Sequence, residues 1–154
     1  MVNRLGIIEN VFLYAIAKGR SRHLSDIAKV LHNLGVGVEC KRLCRVLAEE
    51  SVSRIERINP GVIRFYENRA MGRAETIEEI FCYTDEIIDP LLDIISANQS
   101  KTFRKLTRSE AKYICRAMFL FVDRPFVESD PIAGTEEHIK IIADNLERLL
   151  MSKN

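Results

Sequence analysis

The chain has 154 residues, 47% of them apolar, enough for one domain with a real core or a small domain plus an appendage. Its net charge of +1 excludes no class of partner, but the charge is unevenly spread. Residues 1–73 carry 13 Lys and Arg against 7 Asp and Glu, while residues 74–154 carry 10 against 15, so the halves stand at +6 and −5. This split points to a first half that faces nucleic acid and a second half with another task.

Residues 3–18 are predicted to be helical. Leu5, Ile8, Phe12, Ala15 and Ile16 share a stripe, and Gly19 can end the helix. Ile7, Leu13 and Tyr14 lie off that stripe, so the helix is apolar on more than one face and wants partners on both sides. The run contains Glu9, lacks a small-residue cleavage site and is too short to span a membrane. The expectation is no membrane association and a reducing, cytoplasmic setting.

Ser25 can cap a helix carrying Ile27, Val30, Leu31 and Leu34 at i, i+3, i+4, i+7. The stretch Gly35-Val36-Gly37-Val38 interrupts it. A second helix over about 39–50 lines up Cys40, Leu43, Cys44 and Leu47, with Lys41, Arg42 and Arg45 nearly opposite, in an arc of roughly 100°. Residues 52–58 and 62–66 flank the turn Asn59-Pro60-Gly61 and read as a β-hairpin. Residues 67–75 read as a connector, which divides the chain into 1–73 and 74–154.

The second half reads as helices. Thr76-Ile77-Glu78-Glu79 and Thr107-Arg108-Ser109-Glu110 both fit capping boxes. Asp89-Pro90 fits an N-cap followed by the first helical residue, leading a segment with Leu91, Leu92, Ile94 and Ile95. Ala111, Ile114, Cys115, Met118, Phe119 and Val122 form the next stripe, ending before a loop over 125–134. Thr135 caps a last helix with Ile139, Ile142, Ala143, Leu146, Leu149 and Leu150 inward.

No phosphate loop, dinucleotide fingerprint, zinc-protease motif or nucleophile elbow is present, and the three histidines share no spacing. The cysteines Cys40, Cys44, Cys82 and Cys115 match no zinc pattern. Cys40 and Cys44, one helical turn apart, read as small core residues rather than a metal or redox sensor. No enzyme, cofactor or metal is expected.

In Ser25-Asp26-Ile27-Ala28-Lys29-Val30-Leu31, Lys41-Arg42-Leu43-Cys44-Arg45-Val46-Leu47 and Asn59-Pro60-Gly61, the chain resembles the winged helix-turn-helix superfamily of regulators over residues 5–66. The stretches 8–15 and 27–28 are also faintly similar to the winged-helix region of RteC-type regulators. The turn differs: the tight bacterial motif has Gly four residues after the Ala of its first helix, where this chain has His32.

The resemblance implies a mainly α protein, an N-terminal winged helix with a small hairpin wing followed by a helical dimerisation or regulatory region. The recognition helix would present Lys41, Arg42 and Arg45 to double-stranded DNA, with Arg54, Arg57 and Arg64 on or beside the wing. The expected function is a sequence-specific transcriptional regulator acting as a homodimer through its first and C-terminal helices. The alternative is a protein-interaction module without DNA binding, its acidic half suited to a protein partner.

Overall fold

Apolar and small side chains recur at 40, 43, 44, 47, 48, 51, 52 and 55, a helical period without a break. The computed structural model, which describes residues 26–35, 37–56, 87–98 and 103–152, shows one helix along all of it, Cys40–Glu56. All eight of those residues are buried. This corrects the hairpin expected over 52–58 and 62–66: Val52 to Glu56 are the last turns of the helix, and residues 57–66 lie outside the described residues. Val52 and Ile55 are β-formers, but burial on the continuing stripe outweighs that propensity. Among the described residues there is no strand, only an isolated antiparallel bridge between Phe103 and Met151. The described residues are mainly α and show no wing.

Five helices are described. In chain order they are α1 over 26–34, α2 at Cys40–Glu56, α3 at Ile88–Ala97, α4 at Arg108–Val127 and α5 at Glu136–Leu150. Gly35 and Gly37, at φ +66° and +92°, turn the chain from α1 into α2. An added Cβ would meet nothing at either position, so the left-handed backbone, not space, calls for glycine. The Gly37 N–H donates to Asn98 Oδ1 at 2.6 Å, and Asn98 Nδ2 donates to the Ile94 carbonyl, which pins this turn to the end of α3.

Half-buried Arg54 closes the other end of the α1–α2 pair, donating to Asp26 at 3.1 Å and to Glu50 at 3.0 Å. At 1.5 Å per residue, Asp26 lies about 12 Å back along α1 and Arg54 about 21 Å along α2 from the turn. Their side chains meet only because α2 folds back beside α1.

A helix does start near Asp89-Pro90, but at Ile88, with Ile87 as N-cap and no side-chain cap. Pro90 sits in the first turn, where its missing N–H has no intrahelical acceptor to serve. The capping box of α4 is complete. Thr107 Oγ1 accepts from Glu110 N at 3.2 Å, and Glu110 Oε2 accepts from Thr107 N at 2.8 Å. Thr135 caps α5, accepting from His138 N.

The helix α4 runs through Pro125 to Val127 rather than stopping before it. Pro125 has no N–H to give the Phe121 carbonyl four residues back. Buried His138 supplies the missing donor from α5: its Nε2 lies 2.8 Å from the Phe121 oxygen, while its Nδ1 accepts from Gly134 N at 3.1 Å. That second bond fixes the tautomer with the proton on Nε2.

The helices share one buried cluster, from Ile27 and Leu31 through the α2 stripe and Ile88, Leu91 and Met118 to Leu146 and Leu150. Each fully buried Leu or Ile contributes roughly 1.5–3 kcal/mol. Among the helices α2 to α5, the most extensive packing is α2 against α5. Among the described residues no helix is long and apolar enough to cross a membrane.

Candidate nucleic-acid interface

With Cys40, Leu43, Cys44 and Leu47 turned inward, the helical period sends Lys41, Arg42 and Arg45 outward. Lys41 and Arg42 are exposed side by side. Arg45 is not free for a ligand. Its Nη1 and Nη2 donate to Glu136 Oε1 and Oε2 at 2.5 and 2.7 Å, and its Nε donates to Glu49 at 2.5 Å. The hydrogen bond to Glu136, then that to Glu49, holds the guanidinium proton even more firmly than usual. In return the Arg45 fork holds the Glu136 carboxyl below its ordinary range.

These residues border a groove of about 630 Å³ between α2 and α5. Lys41, Arg42, Arg45 and Lys140 line it together with Glu39, Glu136, Asp144 and Glu147, so the charges cancel. Lys140 donates to Asp144 at 2.9 Å and depresses its pKa, with smaller help from Arg148 and Lys41. A phosphate entering here would have to displace Glu136 from Arg45 and would meet four carboxylates.

Of the other residues in the expected DNA-binding set, one is described and lies elsewhere. Arg54 is tucked between Asp26 and Glu50, where it joins α1 to α2. Arg57 and Arg64 lie outside the described residues. The structure brings together Lys41, Arg42 and Arg45, and occupies the third.

Cys40 and Cys44 are both buried, with their sulfurs 4.0 Å apart, and Cys115 is buried as well. The contact with Cys40, added to burial, pushes the Cys44 thiol far above its ordinary range, while the same contact draws the Cys40 thiol down against the effect of its burial. Among the described residues no three His, Cys, Asp or Glu side chains could hold a metal ion.

A different surface stands out on α4. Tyr113, Leu120 and Phe121 are 66%, 52% and 40% exposed, with Tyr113 and Leu120 turned away from the buried Cys115, Met118 and Val122 and Phe121 at the border beside Ile114. The sequence carries this second stripe in plain view at 113, 117, 120 and 121, but the stronger inward stripe masks it. On α5, Leu146 and Leu150 turn into the core, leaving Leu149 and Met151 partly exposed, so only part of the last stripe expected at a dimer contact is available. That end of the chain docks on its own protein: Arg104 N donates to the Leu150 carbonyl at 3.0 Å and Arg104 Nε to the Leu149 carbonyl at 2.6 Å. The helix expected over 3–18 lies outside the described residues.

No protein-family model, no curated protein and no solved structure matches this chain.

Proposed function

We propose that the protein is a helical protein-interaction module that docks a partner on the outer face of α4. The reading is carried by Tyr113, Leu120 and Phe121, three large side chains left partly exposed on the outer side of a helix whose inner side is packed. Aromatic and aliphatic groups clustered this way are the usual anchors of protein interfaces. Buried thiols at Cys40, Cys44 and Cys115 suit a reducing compartment, and a cytoplasmic setting is part of this reading. A photoreactive phenylalanine analogue substituted at Tyr113 should yield a cross-linked protein adduct in cells, whereas the same analogue at exposed Lys105 should not. No adduct at position 113 would overturn the reading.

A second reading, DNA binding by a transcriptional regulator, is favoured by one observation, the adjacent exposed Lys41 and Arg42 on α2. If it holds, duplex binding should weaken steeply with salt, and a Lys41→Ala, Arg42→Ala variant should lose most of it. Absence of duplex binding at low salt removes this reading and leaves the first untouched.

A further inference from the structure

The exposed face of α4 is complementary to itself. Glu110, Tyr113, Ala117, Leu120 and Arg124 are spaced three, four, three and four residues apart, the seam pattern of paired helices. At about 100° per residue these five lie within an arc of roughly 80°, with Phe121 at its edge. None of the six is buried.

We propose that the occupant of this face is a second copy of the chain, bound antiparallel about a two-fold axis at Ala117. The inference rests on the reading that α4 docks a protein, and adds which one. A two-fold axis at residue 117 sets each residue against the one equally far on the other side. Tyr113 then faces the partner's Phe121, and Phe121 faces the partner's Tyr113, giving two aromatic pairs. Glu110 faces the partner's Arg124, again twice. Arg124 already donates to Glu128 in its own helix at 2.6 Å, and its planar fork can serve a second carboxylate. Glu110 is ionised for the purpose, its carboxyl held below the usual range by the Thr107 N–H and by Arg104.

Ala117 lies on the axis, where a small side chain lets two helices approach to about 8–10 Å. Leu120 drops between the partner's Tyr113 and Ala117 as a knob into a hole. The seam from Glu110 to Arg124 is about 21 Å long. No mixed-sign, aromatic-matched pattern of this kind is needed for a helix that only faces water, where like charges or scattered polar groups serve equally well.

A contact of this size stands at the low end of stable interfaces, so the dissociation constant should be on the order of micromolar. Sedimentation velocity on the purified full chain across a wide concentration range should show a monomer passing to a dimer. Leu120→Asp should weaken that dimer about a hundredfold while the helical circular dichroism is unchanged, because Leu120 is half exposed. Mild oxidation of an Ala117→Cys variant should cross-link the dimer through residue 117 of both copies. Ser109→Cys, eight residues from the axis and about 24 Å from its own copy, should not.

A monomer at every concentration would overturn the proposal. So would a dimer that ignores Leu120→Asp and does not cross-link at 117. If the purified chain is monomeric while the photoreactive group at 113 captures another protein, the self-pairing fails and the interaction reading stands. If position 113 captures nothing, both fall.

Discussion

Arg45 on α2 and Glu136 at the head of α5 hold each other through two parallel hydrogen bonds, 2.5 and 2.7 Å long, across 91 residues of sequence. This pair turns a would-be recognition residue into a strut between two packed helices. Arg45 is always charged, so the pair answers to pH only through the carboxylate.

The first prediction concerns acid. Glu136, Glu110 and Asp144 have pKa values lowered in the fold, chiefly by Arg45, by the Thr107 N–H and by Lys140 respectively. A lowered folded pKa means the charged form favours the native state. The benefit is full above the unfolded values of about 4.3 for Glu and 3.9 for Asp, and is lost as pH falls through the folded ones. Urea midpoints should therefore drop from neutral pH to about pH 3. Glu136→Gln should flatten that decline by lowering the neutral-pH midpoint slightly toward the acid one, a small change because the pair is exposed. An unchanged slope in Glu136→Gln would show that this carboxylate does not contribute.

The second prediction joins Pro125 to His138. His138→Ala removes a buried ring and leaves the Phe121 carbonyl without its donor, so it should cost about 2–4 kcal/mol in chemical denaturation. Pro125→Ala restores an N–H that can reach the Phe121 carbonyl within α4. In the Pro125→Ala background, His138→Ala should therefore cost less. Additive losses in this double-mutant cycle would rule out the coupling.

A third prediction addresses the cysteines. Cys40, Cys44 and Cys115 are buried, so they should resist alkylation in the native protein and react only as it unfolds. The double variant Cys40→Ala, Cys44→Ala should lose roughly 1–3 kcal/mol through lost buried volume, and it should respond to neither zinc nor oxidant. Rapid native labelling at Cys40 or Cys44 would contradict the packing role.

The fourth concerns Ser51. Its hydroxyl is buried in the α2 stripe and finds no hydrogen-bond partner in the structure. Ser51→Ala removes an unsatisfied polar group and fits the same space, so it should leave stability unchanged or raise it by up to ~1 kcal/mol. A loss above that range in thermal or urea unfolding would mean the hydroxyl is bonded after all.

Much of the helical layout was legible in sequence because its signals are local. Thr107 and Glu110 cap α4 through partners three residues apart, and the inward stripe of α4 follows a short period. The error at Val52–Glu56 came from weighing β-propensity and a nearby Asn-Pro-Gly turn above a stripe that never changed period. The loop expected from Pro125 failed for another reason: the donor that lets α4 continue past the proline lies on α5, and no local pattern announces His138. The site suffered most. Lys41, Arg42 and Arg45 were correctly placed on the outer arc of α2. What stands against that arc, Glu136 above all, is set by tertiary packing that a single helix wheel does not contain.

The packing of α2 on α5 also sets an order of events. The α2 stripe packs against α5, whose buried residues include Ile142, Ala143, Leu146 and Leu150, about ninety residues later in the chain. During synthesis on the ribosome, Cys40 through Ile55 must wait without that cover until α5 emerges. Contacts so far apart along the chain slow folding and lengthen the exposure of apolar surface. A stalled or truncated product lacking α5 would carry a long sticky helix and should be a substrate for chaperones and proteases.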